Sequence, residues 1–267
     1  MISAQGYADA VRPVLDRLLD SEADGITRAA DLIAGSLRDG GVLQAFGAGH
    51  SEAFAAELVA RAGGLVPTNR LSVRDLVMHG DAPRDVLADP KLERDPSIAH
   101  QIYALAAPQP RDVFVVASQS GINGSVVELA ALVTERGHPL IAVTSVEHTA
   151  RVAPRHPSGH RLADLADVVL DNGAPYGDAL LPLEGGGAVC AVSSVTTALL
   201  AQLLTAEVVR RFHQAGEVPP IYLSRRCARL EVPGSGSRRR TCARCRSTHT
   251  PSERGVRRAA GRGGPPV

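Results

Sequence analysis

Residues 3–38 carry apolar positions at helical spacing, first Val11, Val14, Leu15, Leu18 and Leu19, then Ile26, Ala29, Ala30, Ile33 and Leu37, and Gly40-Gly41 ends the second run. Two helices are therefore expected ahead of a sheet. Beyond them, short aliphatic runs alternate with helical stretches. These are Val42–Phe46, a helix over Ser51–Ala62, Leu65–Val66 opening a second strand, Val113–Ala117, a helix over Gly124–Arg136, Pro139–Thr144 and Asp167–Leu170. Strands this short, rich in Val, Leu and Ala and separated by single helices, predict a parallel sheet covered on both faces. The fold class is α/β, doubly wound.

Two long connections interrupt the rhythm: residues 67–98, with Pro67, Pro83, Pro90 and Pro96, and residues 145–163, with Pro154, Pro157 and three histidines. Connections of that length in a compact domain are usually functional or mobile. The uncharged stretch Gly185–Ala206 is too polar for a membrane span because of Ser193, Ser194, Thr196, Thr197 and Gln202. It predicts a buried helix that includes Cys190 and ends near His213. A last apolar run covers Pro219–Leu223, and from Arg225 the periodicity gives way to Arg, Ser, Gly and Pro, the composition of a disordered tail.

The 267 residues, 44% hydrophobic and 21% charged, exclude a fibrous or disordered chain and leave room for one large α/β domain. A net charge of +1 hides a split. Residues 225–267 hold 12 arginines against Glu231 and Glu253, whereas residues 1–224 carry 17 basic side chains against 26 acidic ones. A body with a charge of −9 is not built for nonspecific nucleic-acid binding, so nucleic acid is not an expected partner except through the tail. With no Trp, 4 Phe and 4 Tyr, the core must be aliphatic and ligand recognition polar. Four cysteines form no disulfide framework, the N-terminus carries no secretory signal pattern, and a reducing, cytoplasmic location is expected.

In an open α/β sheet the ligand sits beyond the carboxyl ends of the strands. Two such ends carry chemistry. Gly47-Ala48-Gly49-His50-Ser51 follows the first strand; its glycines permit a tight turn, and the helix start offers free N–H groups to an anion. Ser118-Gln119-Ser120-Gly121-Ile122-Asn123-Gly124-Ser125 follows another, with hydroxyl and amide donors crowding a second helix start, where plain helix caps are the alternative reading. A dinucleotide fingerprint fits poorly, because the sixth position of G-x-G-x-x-G is Glu52, whose charge would repel a pyrophosphate; no G-x-x-x-x-G-K-[ST] occurs either. No NAD, ATP or metal cofactor is expected. Neutral donors with no neighbouring Lys suit one phosphate monoester.

The ordered motifs GHSEAFAAELVARAGGL, SQSGINGS, APRHPSGHRL and DNGAPYGDA, with VTS after a further strand and a two-helix lead-in, resemble the SIS (sugar isomerase) family over about residues 5–223. They are most similar to a bacterial branch of that family. The resemblance implies a flavodoxin-like sheet, a homodimer and a sugar phosphate bound at the strand ends. It implies that Ser51, Ser118, Ser120 and Asn123 hold the phosphate, that Gly47, Gly49 and Gly121 keep the backbone close, and that His50, Gln119 and Ser145 belong to the same site.

The activity it implies is aldose–ketose isomerisation, with a non-catalytic phosphosugar sensor as the alternative. Isomerisation needs a base to move a proton between C1 and C2. Glu57 is one candidate, because phosphoheptose isomerases carry a glutamate in a similar AEEL helix; Glu184, in LEGGGAVCAVSSVTT, is the other. His50, His79, His148, His156 and His160 could supply a ring-opening acid, with His156 favoured in the proline-flanked loop. A solvated carboxylate or a satisfied histidine is the plain reading of each. Cys227, Cys242, Cys245 and His249 form only an irregular metal pattern. The resemblance stops at residue 224, where relatives continue PVFVSANxDGxDEHN and this chain reads PPIYLSRRCARLEVPG, so residues 225–267 read as the product of a shifted frame or a truncation.

Overall fold

A computed structural model describes residues 1–223; the basic tail, its cysteines and His249 lie outside the described residues. Two helices lead in, α1 (Ala4–Ser21) and α2 (Ala23–Arg38). Ser3 caps the first, its hydroxyl accepting the Gly6 N–H at 2.9 Å. Then follow β1 (Leu43–Gly47), α3 (Glu52–Leu58), β2 (Thr68–Leu71), the short α4 (Asp75–Met78), α5 (Ser97–Ala106), β3 (Val113–Ala117), α6 (Gly124–Glu135) and β4 (Leu140–Thr144). The chain continues with α7 (Val146–Arg151), α8 (Leu162–Leu165), β5 (Val168–Asp171), the hairpin β6 (Ala179–Pro182) and β7 (Ala188–Ala191), and α9 (Ser193–Gln214).

The five long-range strands are all parallel, in the order β2-β1-β3-β4-β5. Because side chains alternate across a strand, β3 sends Val113, Val115 and Ala117 to one layer and Phe114 and Val116 to the other. Ile33 of α2, Phe54 of α3 and Leu204 of α9 pack in the first layer; Ile102 of α5 and Leu129 of α6 pack in the second. This division follows from right-handed crossovers. The chain leaves β1 toward β2 through α3, then steps back over β1 to β3 through α5, which places α5 with α6 on the opposite face.

The structure corrects four sequence expectations. The second strand is Thr68–Leu71 rather than Leu65–Val66; Leu65 instead makes an antiparallel bridge to Ile221. Polar Thr68 and Asn69 do not announce a buried strand, but Asn69 Nδ2 donates to Gln44 Oε1 (2.9 Å) and Gln44 Nε2 donates to Asp112 Oδ2 (3.0 Å), so β2, β1 and the residue that leads into β3 share one buried amide–carboxylate row. The helix expected over Ser51–Ala62 spans only Glu52–Leu58, since Val59 is extended and Ala60 takes φ +57° so that residues 63–66 can meet the 220–222 run. The helix expected from Gly185 begins at Ser193. Gly185, Gly186 and Gly187 all have positive φ and turn a hairpin instead, leaving Cys190 in an exposed strand. Helix α5 lies where the long 67–98 connection ends and has no counterpart among the predicted elements.

Candidate functional site

The site lies where the winding direction reverses. β1 and β3 are neighbours, but the chain leaves them in opposite directions across the sheet, which opens a crevice at their carboxyl ends. The loops after these two strands are the ones picked out from the sequence. Together with the start of α9 they enclose a crevice of about 410 Å3. Gly49, His50, Ser51, Ser118, Gln119, Ser120 and Asn123 line it, together with Glu93, His148, Asp178, Ser193 and Ser194. Val143, Asn172 and Thr197 line a small adjoining cavity that shares His50, Ser51, Ser118 and Gln119 with it.

Gly47 sits where only hydrogen fits: a Cβ there would lie 2.2 Å from the Ser51 carbonyl oxygen. Gly121 adopts φ +64° and donates its N–H to Ser118 Oγ at 3.1 Å, which leaves the Ser118 hydroxyl proton free. The hydroxyls of Ser51, Ser120 and Ser194 make no hydrogen bond among the described residues.

The Gln119 amide is oriented by its neighbours. Asn172 Oδ1 accepts the Ala174 N–H at 3.0 Å, so Asn172 Nδ2 must be the atom facing Gln119, and it donates to Gln119 Oε1 at 2.7 Å. Gln119 Nε2 is consequently left as a buried donor without a partner, just beneath the crevice. A donor so placed costs free energy until an acceptor arrives.

The third wall was not legible as a site. The sequence marks Ser193, Ser194 and Thr197 only as polar positions that exclude a membrane span, yet they start a 22-residue helix with its N-terminus at the crevice. Asp178 anchors that end, with Oδ1 accepting the Val192 and Ser193 N–H groups (3.1 and 2.8 Å) and Oδ2 the Ser193 hydroxyl (2.6 Å). Among the described residues, neither Lys nor Arg lines the crevice.

His148 reaches the rim from α7. Its Nδ1 accepts the Gly177 N–H at 3.2 Å, so Nε2 carries the proton of the neutral ring. Ser145 lies just behind, buried, its hydroxyl donating to Ala174 O (2.6 Å) and accepting the His148 N–H (3.0 Å); it caps α7 rather than lining the crevice.

The remaining sequence candidates are placed elsewhere. Glu57 accepts from Gln202 Nε2 at 2.8 Å and pairs with Arg61, tying α3 to α9. Glu184 stands exposed in the β6–β7 turn. His156 is nearly covered, its Nε2 against Glu128 Oε2 (2.7 Å) and its Nδ1 against Ser158 Oγ (2.8 Å); Glu128 also meets His100 at 2.7 Å. Burial raises the Glu128 carboxyl, but these histidine hydrogen bonds outweigh it and hold the group below its ordinary value. His79 faces Asp75 in α4, and His160 is exposed. Among the described residues, no cluster of three His, Cys, Asp or Glu side chains is arranged to hold a metal, and no helix is long and apolar enough to cross a membrane.

Residues 6–145 match the SIS domain. The UPF0309 protein lmo0025 of Listeria monocytogenes is 37% identical over 226 residues, covering 82% of this chain and 88% of the relative. The UPF0309 protein BH0227 of Halalkalibacterium halodurans is 36% identical over 219 residues, covering 82% and 86%. Among solved structures, phosphoheptose isomerase GmhA from Neisseria gonorrhoeae superposes with a TM-score of 0.52 at 21% identity, over 78% of this chain and 96% of the other. A phosphoheptose isomerase from Francisella tularensis gives 0.51 at 16% identity, over 77% and 96%. These two superpositions establish the shared fold.

Proposed function

The chain belongs to the SIS domain family, and from that premise we propose that it binds a sugar phosphate in the switch-point crevice and isomerises it between aldose and ketose forms. One observation carries the reading. The free hydroxyls of Ser51, Ser118 and Ser120 belong to one crevice, together with Gln119, whose unpartnered Nε2 lies buried just beneath it, and the α9 N-terminus faces the same crevice. Neutral donors suit a phosphate monoester, which needs no cationic side chain when several N–H and O–H groups converge on it. Asn123 adds an amide at the α6 start, and Gly47, Gly49 and Gly121 let the loops close around the anion. The sugar then extends toward His148, whose Nε2–H is available to hydrogen-bond the ring oxygen as the ring opens and water protonates it. In this reading the protein works without a cofactor, as a cytoplasmic homodimer, with no nucleic-acid partner.

A specific observation favours the sensor alternative: Glu57, Glu184 and His156 all lie away from the crevice lining. A thermal-shift panel of hexose, heptose and amino-sugar 6- and 7-phosphates, followed by NMR detection of solvent deuterium entering C1 or C2, separates the two. Stabilisation with exchange supports the isomerase, and stabilisation without exchange the sensor. No stabilisation by any phosphosugar rejects both.

A further inference from the structure

If the crevice isomerises a sugar phosphate, a base must reach C1 and C2, and two carboxylates face it. Asp178 has both oxygens engaged in anchoring α9. Glu52, in the adjoining cavity, accepts the Ser72 hydroxyl at 2.8 Å. Glu93 differs from both, because its carboxylate makes no hydrogen bond or ion pair among the described residues.

Its position is nonetheless firmly set. The 3-10 turn Leu92–Arg94 is seated on the first turn of α6: Ser125 Oγ donates to the Glu93 carbonyl at 2.6 Å. The Arg94 carbonyl meanwhile comes so close to Gly124 that a Cβ there would lie 2.1 Å from it. From this seat the side chain crosses to the other loop, where Glu93 Oε2 would lie 3.1 Å from a Cβ on Gly49. Glu93 thus spans the two loops that cradle the anion, on the side where both cavities meet.

We propose that Glu93 is the carboxylate that moves the proton between C1 and C2, an inference that rests on the isomerase reading. The Glu93 carboxylate removes the C2 proton, the C–H electron pair becomes the C1=C2 bond, and the carbonyl pair moves to O1, which takes a proton from water. The resulting enediol loses its O2 proton to water and forms C2=O, while its π pair takes the proton held by Glu93 at C1. Electrons and protons balance with no outside oxidant or reductant. A bound phosphate dianion nearby raises the proton affinity of a carboxylate, which makes a better base of it in the complex than in the free protein.

The test uses the full chain and the same phosphosugar panel. Glu93→Gln should keep the ligand-induced rise in melting temperature and lose deuterium exchange by about 10²- to 10⁴-fold. Glu93→Asp, which preserves the charge should the amide disturb folding, should exchange slowly, with a pH profile displaced from that of wild type. Exchange by either variant at the wild-type rate, or loss of exchange only in Glu57→Gln or Glu184→Gln, overturns this inference and leaves the isomerase reading standing. If the wild-type chain is stabilised by phosphosugars yet exchanges with none of them, the isomerase reading itself fails and takes the role of Glu93 with it.

Discussion

Asn172 Nδ2 donates to Gln119 Oε1 at 2.7 Å, and that single bond leaves the other end of the Gln119 amide as an unpartnered donor buried beneath the crevice. Exchanging Gln119 for Glu keeps an acceptor for Asn172 but replaces the free donor with a negative oxygen. The apo protein should melt below the wild-type temperature, because the new oxygen is buried without a donor, and phosphosugar affinity of the folded protein should fall about 10- to 100-fold, the loss of one charge-assisted hydrogen bond. Isothermal titration of wild type and Gln119→Glu checks this; equal affinities would remove Gln119 from the site.

Gly47→Ala should cost both stability and binding. The new Cβ would meet the Ser51 carbonyl oxygen at 2.2 Å and the Glu52 nitrogen at 2.9 Å, both backbone atoms that move only if the loop moves. Overpacking of this kind costs about 1–3 kcal/mol. Urea unfolding measures that cost, and a lowered ligand-induced thermal shift would show that the loop carrying Ser51 has been displaced.

At the opposite end of the sheet, Asp112 should matter for stability alone. Fully buried, it accepts the Val42 N–H (2.9 Å) and the Gln109 N–H (3.0 Å), and at 3.0 Å the Gln44 amide that holds Asn69. Asp112→Ala strands these donors and should destabilise the fold by about 3 kcal/mol. Phosphosugar affinity of the folded fraction should be unchanged. A large drop in that affinity would mean the two ends of the sheet are coupled.

Acidification should weaken the fold through His138. Its Nδ1–H donates to Asp112 O (3.2 Å) and its Nε2 accepts from Tyr103 (2.8 Å), and burial holds the ring below its ordinary value against the opposing pull of Asp112. A base whose folded value is depressed binds its proton more readily when unfolded. Stability therefore falls as pH drops through about 6.5 and continues to fall until the folded value is reached. Melting temperatures between pH 8 and pH 5 should show this slope, and His138→Gln should flatten it; an unchanged slope would assign it to other groups.

Much of this architecture is legible in the chain because burial on both faces of a parallel sheet leaves short, uninterrupted aliphatic runs. The sequence predicts Val113–Ala117 with its observed bounds, and Leu140–Thr144 and Gly124–Glu135 differ from their expected bounds by one residue. β2 escaped because TNRL carries its hydrogen-bonding partners in other strands, and its neighbour Gln44 shows nothing of them locally. The β6–β7 hairpin escaped because the apolar run Ala188–Ala191 after three glycines resembles a helix start as readily as a strand. Of the site, the two strand-end loops stood out by glycine and hydroxyl content. Glu93 gave no signal, since LERD in a long connection looks like any charged surface turn.

From its amino acids alone this protein's layered α/β class and its two donor-rich loops were determined, because periodicity and glycine placement act over a few neighbouring residues. Only the tertiary structure decided that those loops adjoin, that α9 aims its N-terminus between them, and that Glu93 rather than Glu57 or Glu184 lines the crevice. The strand order β2-β1-β3-β4-β5 made that decision, and strand order depends on pairings between residues far apart in the chain, which no local pattern encodes.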